Sequence, residues 1–144
     1  MSLALDVARA AAARDEVPVG AVVVEAATGR VLAAAGNRVA ADADPTAHAE
    51  ILALRQAAAA RGEPRLPDCD LYVTLEPCAM CAAAISMARI RRLVFGAYDP
   101  KGGGVEHGPR FFQQPTCHHA PEVVGGVMES AASEVLKAFF RERR

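Results

Sequence analysis

Two tight groups of residues could do chemistry: His48-Ala49-Glu50, and Pro77-Cys78-Ala79-Met80-Cys81. One imidazole and two thiols are zinc-type ligands. A structural zinc site usually closes with four protein ligands, whereas a catalytic one keeps a position for water. Three ligands and one nearby carboxylate therefore fit hydrolysis, with His48, Cys78 and Cys81 on one Zn2+ per chain and Glu50 moving protons. Water on zinc can have a pKa of about 7, against about 9 for the aqueous ion. Two thiolates donate charge and weaken that effect, so a base beside the metal gains in value. General acid–base transfer of this kind typically contributes about 100- to 10,000-fold.

These residues need elements that hold them. Pro77 precedes Cys78 and helix-favouring residues follow it, so the cysteine pair belongs on the first turn of a helix, three apart and on one face. The partial positive charge at a helix N-terminus lowers thiol pKa values. His48 and Glu50 are two apart, which in mid-helix sends side chains to nearly opposite sides. The sequence places both in the opening turns of a helix capped by Asp44, with Pro45 at its first position, running to about Arg61 and ending at Gly62. The metal then sits near the helix mouth, off the axis, and Glu50 reaches around to the water.

The rest of the chain supplies a frame. Leu3 to Arg14 is alanine-rich with helical spacing, and Val19 to Glu25 reads as a buried strand. Thr28-Gly29-Arg30 is a turn and Val31 to Ala35 the hairpin partner, with Ala40 to Asp44 a loop. Leu71 to Leu75 and Arg92 to Ala97 are strands on either side of the Cys78 helix, which runs to about Ala88. Asp99 to Pro121, punctuated by Gly102, Gly103, Gly104, Gly108, Pro109 and Pro115, is a long loop. Val123 and Val124 are a last short strand, and Val127 to Arg143 is a helix whose apolar face holds Met128, Ala131, Ala132, Val135, Phe139 and Phe140. The alternation argues for an α/β sandwich around one mixed sheet, with residues 1–144 as a single domain.

Lys+Arg 16 against Asp+Glu 17 gives a net charge of -1. That argues against a strongly basic nucleic-acid coat but leaves room for a local basic patch. Charged residues interrupt the apolar N-terminal stretch, so neither a signal peptide nor a membrane span is expected. A C-x-x-C pair among four cysteines suits metal binding in a reducing compartment. A soluble cytoplasmic protein is the simplest expectation.

Other residues carry weaker signals. Cys69 or Cys117 could complete a four-ligand zinc ribbon, although both read more simply as ordinary small thiols. His107, His118 and His119 offer substrate contacts or loop packing. Phe111-Phe112 and Phe139-Phe140 are core or interface aromatics. Lys137, Arg141, Arg143 and Arg144 give the C-terminus a basic end, suited to a helix C-terminus or to a phosphate, and Arg89, Arg91 and Arg92 raise the same question. Asn37, in Gly36-Asn37-Arg38, reads as a turn residue.

Taken in order, several segments resemble bacterial tRNA-specific adenosine deaminases of the TadA type. They are Asp15 to Val22, Asp44 to Ile51, Leu71 to Cys78 with Met80-Cys81, Arg89-Ile90, Val94 to Ala97, and Phe139-Phe140-Arg141. The resemblance implies a cytidine deaminase-like three-layer α/β/α sandwich around a five-stranded mixed sheet. It implies a homodimer with active sites near the interface. The implied reaction is hydrolytic conversion of adenosine to inosine at the wobble position of a tRNA anticodon loop. It makes His48, Cys78 and Cys81 the zinc ligands and Glu50 the proton shuttle. Asn37 would hydrogen-bond the flipped nucleotide, and the Ala49 backbone, Val19 and Leu75 would surround the base. Lys101 to His119 departs from the family pattern, with His118-His119 where some relatives carry an Asn-His pair.

Two other functions stay open at this point. One is deamination of a free base or nucleoside, guanine or cytosine, in the same superfamily. The other is a non-catalytic zinc-stabilised RNA-binding module, which requires a fourth protein ligand.

Overall fold

The computed structural model describes residues 1–143. Its elements follow in the order α1 (Ser2–Ala13), β1 (Gly20–Glu25), β2 (Val31–Gly36), α2 (Ala49–Arg61), β3 (Cys69–Leu75), α3 (Ala79–Met87), β4 (Arg92–Ala97), a 3-10 turn (Phe111–Gln113), β5 (Glu122–Val124) and α4 (Glu129–Arg141). The strands form one sheet in the order β2-β1-β3-β4-β5. β1 is antiparallel to both β2 and β3, while β3–β4 and β4–β5 are parallel. The sheet is therefore mixed and five-stranded, as the sequence predicts.

Alternation along the strands divides the core in two. Ala21, Val23, Leu71, Val73, Leu93 and Phe95 pack with Ala53, Ala57, Ala82 and Ile85 of α2 and α3. A second, smaller cluster joins Leu5 of α1 and Ala132 of α4 to Ala97 at the end of β4. This gives a three-layer α/β/α arrangement, the one the resemblance implies. The α1 layer lies unusually close to the sheet. A Cβ on Gly20 would overlap the Ala4 carbonyl, so only glycine lets α1 cross β1 at that point. Alanines at positions 4, 8 and 11, all fully buried, complete that close approach. Among the described residues no helix is long and apolar enough to cross a membrane.

Three sequence expectations need correction. α2 does not start at Pro45. Asp44 Oδ1 instead accepts the Thr46 N–H at 2.8 Å and the Thr46 hydroxyl at 2.7 Å, so the side chain expected to cap the helix is spent in a local turn. The helix begins at Ala49, with His48 as an extended N-cap at φ -73 and ψ 150. The last helix starts at Glu129, after Met128 at φ +54. Two residues assigned to its apolar face point outward, Met128 at 45% and Phe140 at 50% exposure. The segment from Asp99 to Pro121, read as loop, contains one short 3-10 turn and is fastened by hydrogen bonds described below.

Candidate metal centre and active site

The chain reaches the site from two helix starts. His48 is the N-cap of α2 and Cys78 is the N-cap of α3, at φ -71 and ψ 174. Cys81 lies one turn into α3 and is fully buried. The late start of α2 removes the spacing problem posed by His48 and Glu50. His48 is outside the helix and Glu50 inside its first turn, so the 100° rotation per residue does not separate them.

His48 Nδ1 stands 3.6 Å from Cys78 Sγ and 3.5 Å from Cys81 Sγ. The three ligand atoms all lie within 4.8 Å of one another. Tetrahedral zinc with ordinary Zn–N and Zn–S bonds requires nitrogen and sulfur about 3.6 Å apart. The donor set therefore fits the ion in chemistry and in spacing. Among the described residues no other group joins this cluster. Cys69 sits at the start of β3 beside Arg61 and Asp68, and Cys117 bonds Ser86 Oγ at 3.5 Å and the His119 carbonyl at 3.2 Å. A four-cysteine or ribbon-like centre is therefore not assembled here.

The electrostatics match a pair of sulfurs sharing a proton. The bonds from Cys81 and His48 pull the Cys78 thiol down to about 4. The same bond to Cys78, together with burial, pushes Cys81 well up. His48 is raised by its bond to Cys78. Glu50 is 4% exposed, and burial pushes its carboxyl above the usual carboxylate range, with the Cys78 charge adding to the effect. A buried carboxyl with a raised pKa beside a cluster of metal ligands suits proton transfer in both directions.

A cavity of about 360 Å³ opens over these groups, lined among others by Val19, Asn37, His48, Glu50, Leu75 and Cys78. Val19 and Leu75 are among its lining residues. Asn37 is not simply a turn residue: it is 8% exposed, and its Oδ1 accepts the Ala49 N–H at 2.8 Å. That bond leaves the side-chain NH2 as the group available to a ligand. Ala49 is completely buried and does not line the cavity.

Two carboxylates that line the cavity had no functional reading in the sequence. Glu16 accepts N–H groups from Ala40 and Ala41 and so shapes the loop after β2. Glu76, with its side chain fully buried, accepts N–H groups from Asp99, Val105, Glu106 and His107, and pairs with His107 Nδ1 at 2.8 Å. Burial alone would raise the Glu76 carboxyl, but these donors outweigh it and hold the group below its ordinary value. The three candidate histidines thus separate. His107 belongs to Glu76, His119 Nε2 bonds the Ile90 carbonyl at 2.7 Å, and His118 is exposed.

The basic C-terminal end is largely paired. Arg141 bonds Glu134, and Arg143 bonds Asp15 while stacking 3.6 Å over the Phe139 ring. Arg144 lies outside the described residues. Arg91 and Arg92 pair with Asp70 and Glu122, and Arg89 bonds the Ser86 carbonyl. Phe111 and Phe112 form an edge-on pair against the larger core.

A mixed sheet with parallel β3, β4 and β5, and a His/Cys/Cys cluster at two helix starts beside a buried glutamate, define a zinc-type deaminase. The chain belongs to the cytidine and deoxycytidylate deaminase family, whose zinc-binding region matches residues 1–97. The tRNA-specific adenosine deaminase of Agrobacterium fabrum is 63% identical over 144 residues, spanning 100% of this chain and 93% of that protein. A solved structure from studies of A-to-I editing by tRNA:A34 deaminases at the wobble position superposes with a TM-score of 0.92 at 63% identity, covering 94% of this chain and 97% of that one. The guanine deaminase from Nitrosomonas europaea superposes at 0.84 with 28% identity, covering 96% of this chain and 81% of that one.

Proposed function

We propose that this protein converts adenosine to inosine at the wobble position of a tRNA anticodon loop, as a cytoplasmic homodimer. His48, Cys78 and Cys81 would hold the zinc. When bound, zinc supplies a Lewis acid that makes water nucleophilic near neutral pH.

The chain's own residues account for the remaining work. Val19 and Leu75 flank the base and exclude bulk water from it. The Asn37 NH2, a donor only, selects an acceptor on the flipped nucleotide. Glu50 takes a proton from the attacking water and delivers one to ring nitrogen N1. It then passes the second to the departing 6-amino group. Adenosine and water become inosine and ammonia, and Glu50 ends as it began. Glu50, buried on the cavity wall beside the ligand atoms, is placed for both the accepting and the donating step.

The observation that carries this reaction is the placement of Glu50, buried yet on the cavity wall beside three zinc-spaced ligand atoms. The choice of substrate is supported by the relatives named above. The likeness to a guanine deaminase favours a second reading, in which a free base fills the same cavity. An anticodon stem-loop assayed beside free guanine, cytosine and adenosine separates the two. Inosine in the RNA supports the proposal. Turnover of a free base with no action on RNA would overturn it.

A further inference from the structure

Glu76 stands two residues before Cys78 and has no part in the chemistry above. Its carboxylate is nevertheless the most heavily bonded side chain near the site. Oε2 accepts N–H groups from Val105 at 3.2 Å, Glu106 at 3.0 Å and His107 at 3.1 Å. Oε1 accepts the Asp99 N–H at 3.1 Å and the His107 Nδ1 proton at 2.8 Å. A carboxylate can only accept, so the His107 tautomer is fixed with hydrogen on Nδ1.

The same turn is tied twice more. The Gly104 N–H donates to the Pro77 carbonyl at 2.8 Å, and the Gly103 N–H to the Asp99 carbonyl at 2.9 Å. A Cβ on Gly103 would overlap the Glu76 carboxylate, and one on Gly104 would come within 2.5 Å of the Ala79 nitrogen. Tyr98 packs edge-on between Phe95 and His107 and closes the far side. The glycine-rich segment is thus wrapped around one buried anion. Asp99 and Gly102, which line the substrate cavity, are carried on the segment so wrapped.

We propose that Glu76 is a positioning residue that straps the segment from Asp99 to His107 onto the turn bearing Cys78, so that the cavity wall and the metal turn are set as one unit. The bonds join a rigid strand end to a segment with little regular structure of its own. With the strap released, the segment samples many conformations, and substrate binding must select the competent one. That selection weakens apparent affinity in proportion to the population lost, while the chemical step, carried by Glu50 and the metal ligands, is left intact. The substrate side of this inference rests on the RNA reading; the strap itself does not.

Glu76→Gln tests it from the strand side. An amide can keep one accepting oxygen, but its NH2 must then face either the Asp99 and His107 donors or the three N–H groups from 105 to 107. Gly103→Ala tests it from the loop side without altering β3. In both variants the expected result is zinc at about one per chain and loss of hydrogen-exchange protection at the amides of 105, 106 and 107. KM for the stem-loop should rise about tenfold, the scale of one hydrogen bond to a charged group, with kcat little changed. Unchanged amide protection overturns the strap. Lost protection with unchanged KM overturns its link to substrate. Loss of zinc with a parallel fall in kcat shows a purely structural role in the metal turn. If Glu76→Gln does not fold, Gly103→Ala decides alone. Failure of the RNA reading shows in the wild-type enzyme, and KM is then read on free guanine.

Discussion

Asn37 Oδ1 accepts the backbone N–H of Ala49 at 2.8 Å, across a separation of 12 residues. This bond satisfies an amide at the open start of α2 directly after His48, which offers no side-chain cap of its own because its ring faces the sulfurs. One side chain thus fixes the helix start that carries a metal ligand and also lines the cavity.

Asn37→Asp separates those two tasks. The carboxylate still accepts from Ala49 but has no donor for a nucleotide, and it brings negative charge near Glu50. Zinc content should stay at about one per chain while KM for the RNA rises at least tenfold, the loss expected for one buried hydrogen bond. Equal kinetics in the variant would show that the NH2 does not touch substrate.

Glu50→Gln removes the proton carrier and keeps its shape. Turnover should fall by about 100- to 10,000-fold, with zinc still bound. Because burial disfavours the charged carboxyl, the variant should be at least as thermally stable as the wild type. A variant that turns over normally, or one that fails only by losing zinc, contradicts the assigned role.

After chelation of zinc, Cys78 should be the reactive thiol. Its pKa is pulled down to about 4, whereas Cys69 is pushed up to about 11 by burial and Cys81 is also raised. A lowered thiol pKa means thiolate at lower pH. Iodoacetamide at pH 6 should therefore label Cys78 first in the chelated protein, and zinc should protect it. Labelling that appears only above pH 8 would show an ordinary thiol.

Much of this site could be read from spacing, and the part that could not has a physical cause. The hairpin, the strands on either side of α3 and the cysteine turn follow local patterns. The start of α2 did not, because Asp44-Pro45 has the form of a cap and first helical residue while Asp44 is already held by Thr46. Extended geometry at His48 is what points its ring at the sulfurs, and no local propensity encodes that demand. Glu76 carries no local signal either, since its partners lie 23 to 31 residues further on. The basic tail looked available because Asp15, the partner of Arg143, is 128 residues away in sequence.

Acid should weaken the junction between β1, α2 and β3. Arg61 pairs with Glu25 at 2.7 Å and Asp68 at 2.9 Å. Glu25 is lowered by its Thr28 bond first and by Arg61 next, and Asp68 by its Arg61 bond. Carboxyls lowered in the folded state stabilise above their unfolded values, about 4, and lose that contribution as pH falls through the folded values. Arg61→Met should therefore lower Tm more at pH 7 than at pH 3. An equal loss at both would show that Arg61 acts by packing alone.

The most direct measurement is X-ray absorption at the zinc edge of the isolated enzyme. One imidazole and two thiolates predict two sulfur scatterers at about 2.3 Å and two lighter nitrogen or oxygen scatterers at about 2.0 Å. Three or four sulfurs would place Cys69 or Cys117 on the metal, close the coordination shell, and contradict a site built to activate water.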